Sequence, residues 1–490
     1  MNDLILFLPE LLITSLAFLI ISIDMFYRPA GKNLIPLLTI TSLLAILTYS
    51  FVGIWNTEGS IYDGLLVVDK FSVFFKSFFI ILVVIVILSS VDYVKTHFDY
   101  RGEYYGLLLF TLVAMMLMVS SRELLTSYIS LELLSFGLYV LVAYERFNLK
   151  SNEAGTKYIL LGALSSAFLL YGISQIYGLL GTTRYDDINN VMTSMSDITP
   201  GVMVGILMLV AGLGFKVAAV PFHMWAPDTY EGAPIPVAAY IAVGSKAAAF
   251  ALILRLFSEA FIPVIASWQT ILIVLSVLTI VFGNLGALVQ QNIKRLLAYS
   301  GIAHSGYLLM GVSVLATHGA DGSISTEFLA LISTGIIFHI VAYSITNMGA
   351  FLSATAILNA TRNEDILSMA GFSRKSPAVA IIFTSSLFSL AGLPVFVGFI
   401  SKFYLFNAVA VQGFLWVVGI AILASVISLY YYLMVIRQLY IEPAAEAGLV
   451  HISKTTLLTL SLLFAGMVIL GVYPDPLVSV IHSASEILAY

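Results

Sequence analysis

Residues 201–257 read GVMVGILMLVAGLGFKVAAVPFHMWAPDTYEGAPIPVAAYIAVGSKAAAFALILRLF. Two apolar runs lie in this stretch, 201–225 and 235–257, and each is long enough to cross a bilayer, which takes about 20 residues of helix. Each run carries a lysine well inside it, Lys216 and Lys246, and Pro221 interrupts the first. A charge at the centre of a membrane helix costs about 2.5–3.5 kcal/mol on insertion scales. The stretch therefore reads as a pair of membrane helices that hold charge for a purpose.

Outward from it, the apolar pattern repeats. Spans are expected near 4–26, 35–54, 71–91, 105–121, 123–144, 155–180, 201–225, 235–257, 262–288, 295–316, 326–358, 378–412, 413–437 and 455–473. The spans 105–121 and 123–144 are separated only by Ser121-Arg122-Glu123, and 326–358 and 378–412 are over-long. Backbone groups in lipid must bond internally, which favours helices, and the alternating ten-residue segments of a membrane β-barrel do not occur. The expected fold is an all-α polytopic membrane protein of about fourteen transmembrane helices. Of the 490 residues 60% are hydrophobic and 10% charged, with a mean hydropathy of +1.02. A soluble domain carries about 25% charged residues, so a water-facing fold is excluded.

The chain has no cysteine, which excludes a disulfide framework, a thiolate metal site and an iron–sulfur cluster on this chain. Its net charge of −5 is spread over short loops and points to no nucleic-acid partner. The first 26 residues lack the basic n-region and small-residue cleavage site of a signal peptide and read as a retained first span. Fourteen Lys and Arg residues, from Arg28 and Lys32 through Lys294 and Arg295 to Arg437 and Lys454, collect in loops after odd-numbered spans. Loops after even-numbered spans hold only Lys70, Arg122, Arg184 and Arg255. By the positive-inside rule both termini face away from the cytoplasm, and a bacterial plasma membrane is the expected location.

Four ionisable residues fall deep inside spans: Glu132, Lys216, Lys246 and Lys402. Glu10, Asp24, Lys76, Arg255 and Arg437 lie nearer span ends, where they are expected to snorkel to water. One carboxylate cannot neutralise three lysines, and burial disfavours a charged amine, which makes the inner lysines candidate proton carriers. Glu132 is expected to pair with Lys216. Pro221 lacks an N–H and frees the carbonyl of Val217, expected to hold the Lys216 ammonium or a water. Pro394 likewise frees the carbonyl of Leu390, two turns before Lys402, with Gly392 and Gly398 loosening the same helix. Two such segments, one in each half, are the sign of broken helices in inverted-repeat transporters; taken singly, each proline reads as a plain kink. Lys246 sits among Gly244, Ser245 and three alanines, which leave room for close helix approach or for water.

His223, His304 and His339 are further relay candidates, because imidazole titrates near neutrality; a lone intramembrane histidine is as readily a satisfied core residue. No HExxH pair, Walker A loop, GxSxG elbow or dinucleotide fingerprint occurs, and no histidine pair is spaced for haem or zinc. No cofactor or metal site is therefore expected on this chain, and the energy for transport must come from an ion gradient or a partner.

The run Lys216-x4-Pro221-Phe222-His223-x-Trp225-x-Pro227-Asp228-x-Tyr230-Glu231-Gly232-Ala233-Pro234, followed by Gly244-Ser245-Lys246-Ala247-Ala248, resembles the antiporter-like subunits of respiratory complex I. The segment 292–307, NIKRLLAYSGIAHSGY, is a second specific match. The resemblance covers nearly the whole chain. The Tyr-Glu-Gly-Ala-Pro loop, the Gly-Ser-Lys eighth helix and Lys402, where the subunit M branch has glutamate, resemble the subunit N branch. The chain stops at Tyr490, soon after the fourteenth span, which leaves no room for the long lateral helix of the subunit L branch.

The resemblance implies that Glu132 and Lys216 form a carboxylate–lysine pair, with Lys246 the central relay. His304 and His339 would pass protons onward, and Lys402 would be the outer lysine. It implies two inverted five-helix repeats and two Pro-broken helices. The divisions would be 1–104 (helices 1–3), 105–257 (helices 4–8), 258–440 (helices 9–13) and 441–490 (helix 14). Proton translocation would be coupled to quinone reduction elsewhere in the complex. The implied partners are other membrane-arm subunits and the bilayer, with NADH, FMN, iron–sulfur clusters and quinone on partner subunits. An Mrp-type cation/proton antiporter subunit and the membrane subunit of a membrane-bound hydrogenase share this architecture. A non-transporting scaffold, whose inner lysines only bind lipid or partner helices, is the reading from another class.

Overall fold

The computed structural model describes residues 3–26, 34–195, 198–315, 326–443 and 452–489. Arg28, Lys32 and the last residue of the expected tenth span lie outside the described residues.

A one-turn helix, α1 (Asp3–Leu6), leads into α2 (Leu8–Phe26), and α3 (Ile35–Tyr49) continues as a π turn to Ile54. A small antiparallel hairpin follows, β1 (Gly59–Ile61) and β2 (Leu66–Val68), with Gly59 opposite Val68. Then come α4 (Lys70–His97), α5 (Arg101–Ser120), α6 (Leu124–Val142), α7 (Leu149–Leu180), the short α8 (Tyr185–Ser194) and α9 (Pro200–Lys216). α10 (Trp225–Gly232) and α11 (Ile235–Tyr240) precede a π turn, Ile241–Ser245, that runs directly into α12 (Lys246–Glu259). The remainder is α13 (Ile265–Leu288), α14 (Ile293–Val312), α15 (Thr326–Thr361), α16 (Phe372–Lys375), α17 (Pro377–Ala391), α18 (Val397–Val411), α19 (Leu415–Tyr440), α20 (Lys454–Val472) and α21 (Asp475–Ser485).

Among the described residues eleven helices are long and apolar enough to cross a membrane, and α9, α17 and α18 are apolar but shorter. The chain is a helical, multi-pass integral membrane protein. The expected span 378–412 is two helices, α17 and α18, and α7 starts at Leu149, before the expected 155. The hairpin, α8 and α21 were not legible as spans because each is far shorter than a bilayer crossing.

Polar residues at the junctions close the helix ends, whose first N–H groups have no intrahelical acceptor. Asp69 accepts from Ser72 N at 2.7 Å and its own N–H donates to Ser72 Oγ, a reciprocal cap on α4. Glu123 accepts from Leu125 N and Thr126 N at 2.9 and 2.6 Å, which starts α6 just past the Ser121-Arg122-Glu123 interruption. Asn148 and Asn292 cap α7 and α14 in the same way.

Burial identifies the centre of the bundle. The segment Ile235–Glu259 is wholly enclosed and α15 nearly so, whereas α7, α19 and α20 leave most of their surface outward. Lys246 and His339 therefore lie on the two most enclosed helical segments.

Of the five charges expected to reach water, four do not: Glu10, Asp24, Lys76 and Arg255 are buried. Lys76 Nζ lies 2.7 Å from Glu10 Oε1 with both side chains buried, which pins α4 to α2. Arg255 is fully buried, its Nη2 donates to both Asp69 oxygens at 2.9 Å, its Nη1 reaches Glu259 at 3.2 Å, and its guanidinium lies over the Phe71 ring. The cause is the same for the Glu10–Lys76 pair and for Arg255. A neighbouring element supplies the opposite charge, and attraction at low dielectric offsets desolvation only when such a partner is in place. Arg437, by contrast, is exposed and pairs with Glu442 at 2.9 Å.

Candidate functional site

Glu132 sits midway along α6, and Lys216 is the last residue of α9. The Lys216 ammonium donates to Ser135 Oγ at 2.7 Å and lies 3.5 Å from Glu132 Oε1, which also accepts from Ser166 Oγ at 2.6 Å. Glu132 forms part of the wall of an outward cavity of about 560 Å³ with Tyr128, Phe136 and Ser166. The carboxylate thus faces the cavity, and the ammonium faces the interior.

α9 stops where it does for local reasons. Ala218 takes a left-handed conformation (φ 57°), and Pro221 cannot donate into a continuing helix. The Trp225 indole donates to the Phe215 carbonyl at 2.8 Å and satisfies one of the end carbonyls. Lys216 does not use the Val217 carbonyl as expected. A carboxylate and a hydroxyl from α6 offer an ammonium more than one amide dipole does. His223 lies half-buried in the break, and its Nδ1 is enclosed with no hydrogen-bond partner among the described residues. No hydrogen bond links it to the lysines.

Lys246 opens α12 directly after the π turn, a departure from α geometry that often accompanies functional positions. Its ammonium is buried and donates to the Gly301 carbonyl on α14 at 2.7 Å. Gly301 leaves room for both groups: a Cβ would lie 3.0 Å from Lys246 Nζ and 2.8 Å from Tyr343 Oη. Tyr343 Oη in turn accepts from Asn347 Nδ2 at 2.9 Å.

His304 follows Gly301 by three residues on α14. Its Nδ1 lies 3.3 Å from His339 Nε2, with the rings nearly parallel and centroids 5.4 Å apart. His339 Nδ1 lies 3.1 Å from Ser401 Oγ. Next in the chain, Lys402 donates to the carbonyls of Leu390 (2.8 Å) and Ala391 (3.2 Å) and to Ser425 Oγ (2.8 Å), with its ammonium 5.2 Å from the Tyr307 ring centre. The Leu390 carbonyl is the one expected to be freed by Pro394, and α17 ends at Ala391 with Gly392 left-handed (φ 88°).

The sequence-derived candidates thus fall into two groups. Glu132 and Lys216 form one, in direct contact, with Ser166 on the carboxylate and Ser135 on the ammonium. Lys246, His304, His339 and Lys402 lie along the other, with His304, His339 and Ser401 in direct polar contact. Neither Lys246 nor Lys402 has a carboxylate within 4.0 Å among the described residues, so each is held by neutral oxygens alone. Ser401 could have been found as the immediate neighbour of Lys402. Ser166, Ser425 and Tyr343 could not be picked from among many similar hydroxyls. No group of His, Asp or Glu able to hold a metal occurs among the described residues.

Beyond the break that follows Lys216, Asp228 on α10 accepts from Lys157 on α7 (2.9 Å) and Arg295 on α14 (2.7 Å), and Arg295 also reaches Glu231 at 2.9 Å. Burial pushes the Asp228 carboxyl up, but the hydrogen bonds and charges of Lys157 and Arg295 outweigh it and hold the carboxyl below its ordinary range. The network clamps the short helix after the break to two long ones.

Comparison with known proteins gives this geometry a context. A family model described as "NADH:quinone oxidoreductase/Mrp antiporter, TM" matches residues 121–428. The NADH-quinone oxidoreductase subunit N of Desulforamulus reducens is 39% identical over 444 residues, covering 91% of this chain and 90% of that protein. The subunit N of Trichlorobacter lovleyi is 38% identical and covers 98% and 96%. A chain of respiratory complex I from Thermus thermophilus with bound Aureothin superposes with a TM-score of 0.78 at 28% identity, covering 96% of this chain and 98% of that one. A chain of the Mrp complex from Dietzia sp. superposes at 0.85 with 19% identity, a likeness of fold alone.

Proposed function

The chain belongs to the NADH:quinone oxidoreductase/Mrp antiporter transmembrane family, and from that premise we propose which of its residues carry protons. It is a proton-translocating membrane-arm subunit of an NADH:quinone oxidoreductase, seated among other membrane-arm subunits, and the cofactors of the complex are carried by those other subunits. In our reading these are NADH, FMN, iron–sulfur clusters and quinone.

Lys216 is held charged by Glu132 while that pair is intact. When a neighbouring charge draws Glu132 away, the ammonium keeps only a serine, and its proton moves inward to Lys246. Lys246 and Lys402 are the loading points, because neutral oxygens stabilise an ammonium far less than a carboxylate does, so each amine releases its proton when a second charge approaches. Between them the His304 and His339 rings hand a proton along: each neutral imidazole accepts at one nitrogen while donating at the other. Ser401 Oγ completes the passage to Lys402. The observation that carries this reading is the polar contact His304–His339–Ser401, which ends on the residue that precedes Lys402 in the chain. His223 is an accessory in the break rather than a member of this line.

The break between α9 and α10 at Pro221 and that between α17 and α18 at Pro394 occupy corresponding places in two inverted repeats, 105–257 and 258–440, flanked by 1–104 and 441–490. Counting α9–α10, α14 and α17–α18 as one crossing each with the eleven long helices gives fourteen. Both termini then lie on the non-cytoplasmic side of a bacterial plasma membrane. Relatives at 38–39% identity over nearly the whole chain favour this role over an Mrp-type antiporter, which shares the fold at 19% identity.

The test is His339→Leu in the assembled complex, with proton uptake by membrane vesicles recorded beside quinone reduction. Loss of uptake with the complex intact is the expected result. Unchanged uptake would remove the histidine line from the mechanism.

A further inference from the structure

A feature unused by this mechanism is the seam between α4, α15 and α20. Its apolar part is a crevice of about 520 Å³ walled by Phe78, Leu82, Ile345, Met348, Leu463 and Leu470. Along the same three helices lies a second, polar cavity of about 220 Å³, bounded by Asp92, Thr355, Asn359, Ser453 and Thr456. On α4 the polar lining begins at Ser89, one turn past Ile85; on α15 it begins at Leu352, one turn past Met348; on α20 it ends at Thr456, two turns before Leu463. At 1.5 Å per residue, Leu82 in the crevice lies about 15 Å along α4 from Asp92, the depth of one leaflet of a hydrocarbon core roughly 30 Å thick.

Water does not fill an apolar crevice, because it needs polar partners, and at membrane depth the available filler is hydrocarbon. The polar end has the chemistry of a headgroup site. Asp92 Oδ2 accepts from Thr455 at 3.1 Å, from Thr456 at 3.5 Å and from Ser453, and the carboxylate remains exposed. Exposed Lys95, one turn on along α4, and exposed Lys454, beside Ser453, lie at the same end and place positive charge at phosphate level. A carboxylate next to lysines matches a zwitterion, amine to Asp92 and phosphate to the lysines. A purely anionic headgroup would meet the Asp92 charge.

We propose that this seam binds one phospholipid with an amine headgroup, its amine on Asp92 and one acyl chain in the crevice. The crevice side of α15 carries Ser344 and Met348, each adjacent in the chain to Tyr343 or Asn347 of the Lys246 surroundings. The lipid therefore packs against the back of the helix that carries His339.

The test uses the whole complex, purified in mild detergent, offered equimolar phosphatidylethanolamine and phosphatidylglycerol, with bound lipid counted by native mass spectrometry. The complex should retain one phosphatidylethanolamine that Asp92→Asn retains about fivefold less, as expected for loss of one partly exposed charge contact. Ser77→Phe, which fills the crevice, should lose the same single lipid. Equal retention of phosphatidylglycerol, or an unchanged lipid count in Asp92→Asn, would overturn the proposal, the latter leaving the seam to a helix of a neighbouring subunit. Asp92 is a surface residue, so that variant decides the matter even if Ser77→Phe fails to assemble.

Discussion

Gly301→Ala offers a sharp test of the site because it adds one methyl at a known place. The new Cβ would lie 2.8 Å from Tyr343 Oη, so that hydroxyl must shift, and 3.0 Å from Lys246 Nζ, so the ammonium must give by a few tenths of an ångström. The bond this strains is the one to the Gly301 carbonyl, 2.7 Å in length, and its full loss sets the upper bound on the effect. A hydrogen bond to a charged group is worth about 1.5–3 kcal/mol, and each 1.36 kcal/mol in a barrier is tenfold in rate. Loading of Lys246 should therefore slow, by at most about a hundredfold. Gly178→Ala on α7 is the control, since nothing lies within 4 Å of its added Cβ and alanine favours a helix by about 1 kcal/mol. The assay is acidification of inverted vesicles during quinone reduction, beside a check that the complex is assembled. Wild-type pumping in Gly301→Ala, with Gly178→Ala also normal, would refute the placement of Lys246 on the proton route.

Other consequences follow from particular contacts. Ser401→Ala removes the hydroxyl beside His339; one neutral hydrogen bond is worth about 0.5–1.5 kcal/mol, so pumping should fall about two- to tenfold in the same assay. Glu132→Gln keeps the shape but removes the charge facing Lys216, and pumping should fall by at least about tenfold while the complex still assembles on a native gel. Glu10→Ala leaves Lys76 buried without its carboxylate and should destabilise the packing of α2 on α4 by about 3–5 kcal/mol; the double variant Glu10→Met with Lys76→Met should recover most of the lost thermal stability. Asp228 has its folded pKa depressed. The stability it contributes is therefore fully present above its unfolded value of about 3.9 and is lost as pH falls through the lower folded value. Thermal melts taken downward from pH 5 should show a loss that Asp228→Asn abolishes.

Much of the architecture was legible because membrane burial writes itself into composition: a helix that must cross lipid needs a long apolar run. The same logic exposed Glu132, Lys216, Lys246 and Lys402, since a charge inside such a run stands out. It misread Glu10, Asp24, Lys76 and Arg255, whose position near span ends says nothing about how the neighbouring helices will enclose them. The break after Lys216 was legible from Pro221, but the lysine's partners were only half so: Glu132 was foreseen, and the Val217 carbonyl was not used. The His304–His339 contact joins residues 35 apart on α14 and α15, and no local pattern encodes that pairing. The hairpin, α8 and α21 were invisible because they do not cross the bilayer.

The central claim is that protons pass through the buried amines. Proton translocation by sealed vesicles carrying Lys246→Ala, with the complex shown to be assembled and to bind its partner subunits, tests it most directly. The account predicts that proton movement is lost or falls at least about tenfold while assembly is retained. Wild-type proton movement in that variant would contradict it and leave the buried lysine a structural feature of the bundle.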